Sequence, residues 1–256
     1  MYRSKRRGAA TREGHTHAAA VIAACSGRRA LPKRGSPILS SSGRPVLRLS
    51  RLPNGEPEIF ASIQGEGVTA GLPSVFIRLS LCNLRCVWCD TKYTWDWAHF
   101  DPKLEIVAVD VPEIMRRVEQ THLRNVVITG GEPLLQQREL IPLVKLLKSR
   151  GLRLEVETNG TIEPDPVFGA SIDQWNVSPK LTNSTNRPTE REVGAAVAWF
   201  ARQPQAYVKL VIADPTDLDE ARELVDRYSI PADRVLLMPE ATDWQRLVER
   251  SRWLAE

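Results

Sequence analysis

The chain has 256 residues, 42% of them hydrophobic and 26% charged, enough for one large soluble domain with its own core. No apolar run approaches the roughly 18 residues that suggest a membrane span, and the longest, Ala18 to Cys25, is too short and too rich in alanine. The net charge of +4 is unevenly spread: residues 1–53 hold twelve Lys or Arg against Glu13 alone, so the tail carries +11 and the rest −7, which argues against a folded nucleic-acid-binding domain.

Residues 1–53 lack apolar periodicity and are rich in Arg, Ser, Gly and Ala. Such a stretch buries too little to offset its ordering entropy, so a basic tail is expected, disordered up to about Val46, ahead of a folded body over 54–256. An upstream start, a basic arm for nucleic acid or a partner, and a transit peptide stay open for it. Cys25 lies in this tail and is assigned no role. A cytoplasmic location is expected, with neither a clear signal peptide nor a membrane segment.

From residue 54 onward, short β-branched runs alternate with amphipathic stretches. Strands are predicted over 74–80, 125–129, 153–158, 172–178, 206–212 and 234–238. Helices are predicted over 111–120, 138–150, 190–203, 217–228 and 243–255, with Leu140, Val144 and Leu147 at helical spacing in the second. Six apolar strands alternating with helices imply an α/β fold with a parallel sheet. Six are too few for a closed eight-stranded barrel, so a partial, open βα barrel is expected. Functional groups gather at the C-terminal ends of such strands. The cysteine loop, "TGGEP", "ETNGT" and "SPK" all fall there.

Cys82, Cys86 and Cys89 stand as Cys-x₃-Cys-x₂-Cys, three of the chain's four cysteines within eight residues. An odd, tightly spaced set argues against disulfides. Structural zinc normally takes four ligands, and no second cysteine pair or suitably spaced histidine follows. Three thiolates can instead hold three irons of a 4Fe–4S cluster, with the fourth iron open to a small molecule.

This loop resembles the signature of radical S-adenosylmethionine enzymes. The resemblance implies a 4Fe–4S cluster whose fourth iron is chelated by S-adenosylmethionine, which is cleaved to a 5′-deoxyadenosyl radical. It also implies cofactor contacts at Trp88, Cys89 and Asp90, at Gly131 and Glu132, at Ser178, Pro179 and Lys180, and at Glu240. "EIFASIQGEG" ahead of "FIRL", then "CDTKYTW", "ETNGT", "NVSPKL" and "KLVI", is similar to the 7-carboxy-7-deazaguanine synthase family over about residues 54–240. That likeness implies ring contraction of 6-carboxy-5,6,7,8-tetrahydropterin with loss of ammonia, on the route to queuosine and other deazapurines. Substrate contacts then map onto Ile63, Gln64, Gly65, Glu66, Arg78 and Thr129, and Mg²⁺ onto Thr91. Partners implied are a homodimer mate and an electron donor such as flavodoxin or ferredoxin.

An acidic side chain suits the pterin's amino-pyrimidine edge, and a guanidinium can clamp its carboxylate bidentately. Arg78 has no obvious acidic partner nearby in sequence, so it is expected to meet that carboxylate. Bland readings stand beside these: a structural ion pair for Arg78, a turn for Gln64 to Gly67, a hydroxyl cap for Thr91, loop-fixing roles for Glu157 and Asn159. The rival enzyme reading is an activase that makes a glycyl radical on a partner protein. A rival of another class is a non-catalytic module that binds nucleic acid through the basic arm.

Overall fold

The computed structural model describes residues 46–256; Cys25 and the basic stretch before Val46 lie outside the described residues. In chain order the elements are β1 (Val46–Ser50), β2 (Ile59–Ile63), β3 (Pro73–Leu79), α1 (Pro102–Glu105), β4 (Ile106–Asp110), α2 (Val111–Gln120), β5 (Asn125–Gly130), α3 (Gln137–Ser149), β6 (Arg153–Thr158), α4 (Pro166–Gly169), β7 (Gln174–Val177), α5 (Pro188–Arg191), α6 (Gly194–Ala201), β8 (Ala206–Ile212), α7 (Asp217–Arg227), β9 (Val235–Pro239) and α8 (Trp244–Ala255).

The six strands expected from sequence are β3 and β5 to β9, and they form one parallel run in the order β3-β5-β6-β7-β8-β9. Three strands were not expected. β1, β2 and β4 are antiparallel and extend the sheet beyond β3. β1 adds Val46–Ser50 to the folded body expected over 54–256: Val46, Leu47, Leu49 and Ser50 are all buried. Its "VLRLS" was masked by the basic residues around it.

Side chains alternate across each strand. Val75, Ile77, Leu79, Val126, Ile128, Leu154, Val156, Trp175, Val177, Val208 and Leu210 form one apolar core with Leu140, Leu143, Val144 and Leu147 of α3. The intervening residues face the other way and are mostly polar. The strands are therefore not uniformly apolar, as a sheet covered on both faces would require.

The helix expected over 190–203 is broken into α5 and α6. Glu192 and Val193 are extended between them, and Gly194 restarts the helix. Glu192 accepts from Tyr228 Oη at 2.8 Å and Arg227 Nη1 at 2.6 Å at the C-terminal end of α7, which holds the break open. Among the described residues no helix is long and apolar enough to cross a membrane.

Candidate active site

One row of residues crosses the inner face of the sheet. Arg78 of β3 is in register with Thr129 of β5, Glu157 of β6 with Asn176 of β7, and Asn176 with Tyr207 of β8. Thr129 Oγ1 donates to Glu157 Oε2 at 2.6 Å and joins the two halves. Gln64, buried in the loop after β2, donates to Glu157 Oε1 at 3.1 Å, so the "QGEG" segment is tied to the sheet and is more than a turn. Glu66 from that loop pairs with Lys209, one alternation beyond Tyr207. Glu66, Gly67, Glu157, Asn176, Tyr207, Lys209 and Leu236 line one cavity. Burial pulls the Lys209 ammonium down to about 8, while the carboxylate in contact works in the opposite direction.

Arg78 has a protein partner, contrary to expectation. Its Nε donates to Glu58 Oε1 at 2.9 Å, and its guanidinium lies 5.9 Å from the Phe60 ring centroid. Twenty residues of sequence separate Arg78 from Glu58, but β2 folds back antiparallel on β3 and closes that distance. Burial works against the Arg78 charge, yet Tyr93, Glu58 and Asp90 outweigh it and hold the group above its ordinary value.

The cysteine loop follows β3. Each sulfur receives a donor: Leu84 N at 3.4 Å on Cys82, Asn186 Nδ2 at 3.2 Å on Cys86, and Trp95 Nε1 at 3.3 Å on Cys89. All three cysteines are free, with Cys86 buried. Burial pushes Cys82 up to about 12 and Cys86 also upward, so three thiolates gathered here call for a bound cation. Among the described residues no group of three His, Cys, Asp or Glu could hold a metal ion. A soft sulfur donor set with N–H donors suits an iron–sulfur cluster, whose irons are spread wider than one ion. The residues fit that group.

Thr91 Oγ1 lies 3.5 Å from Cys89 Sγ, and the Thr91 side chain makes no cap bond to the short helical turn it precedes. Its carbonyl does that work instead, accepting from Thr94 N and Oγ1, so the capping role is excluded for the hydroxyl.

The two glycines of "TGGEP" are required by close packing. A Cβ on Gly130 or Gly131 would come within 2.0 Å of the carbonyl oxygen of Leu79 or Leu81, and Gly130 has φ +130°. Gly131 N and Glu132 N donate to those same carbonyls at 2.9 and 2.7 Å. The turn is thus clamped to the residues that lead into Cys82. The Glu132 side chain is committed within the protein. It is fully buried, and its carboxylate accepts from Leu134 N and Thr158 Oγ1, both at 2.9 Å, and from Asn159 N at 2.7 Å. Its side chain fastens the end of β5 to the end of β6. Burial raises its carboxyl above the ordinary range, against these donors.

Trp88, Ser178 and Lys180 come together. Lys180 Nζ donates to Ser178 Oγ at 2.9 Å and lies 5.2 Å from the Trp88 ring centroid. Trp88 Nε1 donates to Asn183 at 3.2 Å, and Pro179 is buried between Ser178 and Lys180. Asp90 and Gly65 are exposed, and Ile63 turns a 63% exposed side chain outward at the end of β2. Glu240 pairs with Arg250 of α8. His99 and Asp96 pair at 2.8 Å on the surface, away from any expected role.

Sequence reasoning missed Glu58, Lys209, Trp95 and Asn186, and for Asn159 it left a loop-fixing role open beside a functional one. Asn159 Nδ2 donates to Asn83 at 2.9 Å and approaches Cys82 Sγ at 4.0 Å. A lone lysine inside "AYVKLVI" was a readable signal; Asn186, a hundred residues from Cys86, gave none.

A parallel half-barrel with three cysteines after its first parallel strand defines a radical S-adenosylmethionine enzyme, and residues 77–178 match the model of the radical SAM superfamily. The chain is 39% identical over 185 residues to 7-carboxy-7-deazaguanine synthase from Pyrobaculum aerophilum, covering 72% of this chain and 78% of that one. The enzyme of the same name from Hyperthermus butylicus is 39% identical over 200 residues, 75% and 80% of the two chains. The crystal structure of QueE from Escherichia coli superposes with a TM-score of 0.57 at 26% identity, over 81% of this chain and 90% of that one. The chain belongs to the 7-carboxy-7-deazaguanine synthase family. None of these relatives supports the activase alternative.

Proposed function

We propose that the chain converts 6-carboxy-5,6,7,8-tetrahydropterin to 7-carboxy-7-deazaguanine with loss of ammonia, as a carbon–nitrogen lyase in queuosine biosynthesis. The observation that carries this reading is the inner row from Arg78 through Thr129 and Glu157 to Asn176, just below the cysteine loop. It offers a cationic end to a carboxylate and an acidic end, Glu66 and Glu157, to N–H donors. Cys82, Cys86 and Cys89 would hold the 4Fe–4S cluster. When bound, cluster and S-adenosylmethionine supply the radical that takes hydrogen from the substrate.

The chain's own residues bind and orient. Arg78 meets the pterin carboxylate through its Nη groups, since Nε is engaged by Glu58. Thr129 and Gln64 fix the Glu157 carboxylate so that its remaining lone pairs face the ring. Trp88, Ser178 and Lys180 form the side that receives S-adenosylmethionine. Thr91, its hydroxyl uncommitted to a cap, would contribute to a Mg²⁺ that keeps most of its waters. A flavodoxin- or ferredoxin-like electron donor and a second copy of the chain complete this reading.

The test is anaerobic reconstitution with iron and sulfide, then assay with the tetrahydropterin and S-adenosylmethionine. The expected product is 7-carboxy-7-deazaguanine, with the cluster lost in each of Cys82→Ala, Cys86→Ala and Cys89→Ala. A reconstituted enzyme that cleaves S-adenosylmethionine but leaves the pterin unchanged would refute the proposal.

A further inference from the structure

Glu58 sits just before β2 and grips Arg78 twice. Its carbonyl accepts from Arg78 N at 3.0 Å, and its carboxylate accepts from Arg78 Nε at 2.9 Å. The same carboxylate accepts from Tyr93 Oη at 3.1 and 3.0 Å, and Tyr93 belongs to the stretch directly after the last cysteine. Glu58 N is held in turn by Ser50 O at 2.8 Å, at the end of β1. Through its backbone and its nearly buried carboxylate, Glu58 thus ties together β1, β3 and the cysteine loop. On its remaining side Arg78 rests against Phe60, which is stacked on Phe76 at 5.2 Å.

A long side chain such as arginine has many rotamers, and ordering it costs free energy at the moment of binding unless the fold has ordered it beforehand. Here Nε is fixed by Glu58 and one flank by Phe60, while among the described residues no acceptor meets the two Nη groups. The guanidinium edge suited to a bidentate carboxylate is the edge left over.

We propose that Glu58 is a positioning residue for substrate recognition. It holds Arg78 with its Nη edge toward the ligand carboxylate and, through Tyr93, sets that edge at a fixed place relative to the cysteine loop. This rests on the reading of Arg78 as the carboxylate's partner. The role depends on the reach of the side chain and on its acceptor atoms more than on its charge. A negative charge beside Arg78 competes with an anionic ligand, so charge alone cannot be what favours binding here.

Two mild substitutions separate reach from charge. Glu58→Gln keeps the length and an acceptor for Arg78 Nε and removes the charge; Glu58→Asp keeps the charge and withdraws it by one methylene. Binding to the reconstituted enzyme with S-adenosylmethionine is measured by anaerobic calorimetry. The two probes are 6-carboxytetrahydropterin and a tetrahydropterin unsubstituted at C6. Loss of one hydrogen bond to a charged group predicts that Glu58→Asp binds the carboxylated ligand about tenfold more weakly, and Glu58→Gln no more than about threefold. Neither should change affinity for the unsubstituted ligand by more than about twofold. The proposal is overturned if Glu58→Gln is the weaker binder of the two, or if both ligands lose equally. Arg78→Ala is the control for the reading beneath it. If Arg78→Ala leaves the carboxylated ligand's affinity unchanged or weakens both ligands equally, the Arg78 assignment has failed; if it weakens only the carboxylated ligand and Glu58→Asp does not, positioning alone has failed.

Discussion

The two faces of β3 and β5 to β8 are built from the same strands and do opposite work. One face presents Val75, Ile77, Val126, Ile128, Val156, Trp175 and Val208 to the helices, nearly all without solvent exposure. The other presents Arg78, Thr129, Glu155, Glu157, Asn176 and Lys209, each with a hydrogen-bonding or ionic partner. Satisfaction is uneven along that polar face. At the N-terminal ends of the strands, Glu155 is fully buried and accepts from Asn125 Nδ2 and Thr69 Oγ1, both at 2.9 Å, and from Asn176 Nδ2 at 3.1 Å. It also pairs with Arg153. Toward the C-terminal ends, Arg78 keeps its Nη edge and each cysteine has few donors. Saturated polar groups close the bottom of the half-barrel, and under-satisfied ones open its top. A strand-level alternation therefore separates stability from chemistry, and a gradient along the strands separates floor from site.

The largest effect that would test this separation lies on the apolar face. Trp175 packs edge-on against Phe168, Trp199 and Phe200, with ring centroids 5.3 to 6.0 Å away. Trp175→Ala should cost about 3–5 kcal/mol of stability in urea unfolding. The KM of the protein that remains folded should be unchanged. Among the described residues no acceptor meets the buried Trp175 Nε1. Trp175→Phe removes that unmet donor and should therefore cost less than about 1.5 kcal/mol. A KM shift in either variant would break the division between the faces.

On the polar face, Arg78→Ala should keep its cluster and its slow uncoupled cleavage of S-adenosylmethionine. It should lose about 2–5 kcal/mol of transition-state stabilisation, roughly 30-fold to several-thousand-fold in kcat/KM. Lysine at this position should rescue only part, lacking the planar fork. Near-normal kcat/KM in Arg78→Ala would remove it from the site.

The parallel sheet was legible because β-branched runs and helical spacing are local signals, and the cysteine spacing was legible because cluster chemistry demands it. What escaped depends on contacts distant in sequence. β1 was hidden in basic surroundings, although its Leu47 and Leu49 are fully buried. Glu58 could not be matched to Arg78 without knowing that β2 pairs with β3. The glycines of "TGGEP" were read as serving a ligand, whereas they also admit the backbone of Leu79 to Cys82. The motif said nothing of the Glu132 carboxylate, whose bonds to Thr158 and Asn159 strap two strand ends together.

A smaller effect is expected at Lys209. It is the cation paired with Glu66 in the cavity that Glu157 and Tyr207 also line. Lys209→Met leaves the Glu66 carboxylate in the cavity without its ion pair, which raises its affinity for protons and spoils it as an acceptor. A KM increase of about tenfold for the pterin is expected, with little change in kcat, because the loss falls on ground-state binding. Burial places the Lys209 ammonium near 8. The Glu66 carboxylate in contact holds the ammonium above the value set by burial alone, so the cation loses its proton and its hold on Glu66 only further into the alkaline range, where wild-type KM should climb. The Lys209→Met profile should lack that limb. Parallel profiles for the two proteins would show that Lys209 does not govern the cavity.

The smallest effect belongs to an ion pair of similar chemistry in water. Glu113, in the first turn of α2, accepts from Arg116 Nε at 2.8 Å and Nη2 at 2.7 Å, and from Arg117 Nε at 2.7 Å. Hydrogen bonds from Arg116 and Arg117 hold its carboxyl down to about 2, against an ordinary 4.5. A carboxylate whose folded value is depressed stabilises the fold above its unfolded value and loses that contribution as pH falls toward the folded one. The window is therefore about pH 4.5 down to about 2. Solvent screens this surface network and both arginines pay side-chain entropy to hold it, so Glu113→Gln should cost less than about 1 kcal/mol at neutral pH. The difference from wild type should vanish when urea midpoints are compared near pH 2, and should shrink in high salt. If instead Glu113→Gln cost as much as Trp175→Ala, the stability of this fold would not reside mainly on the apolar face of the sheet.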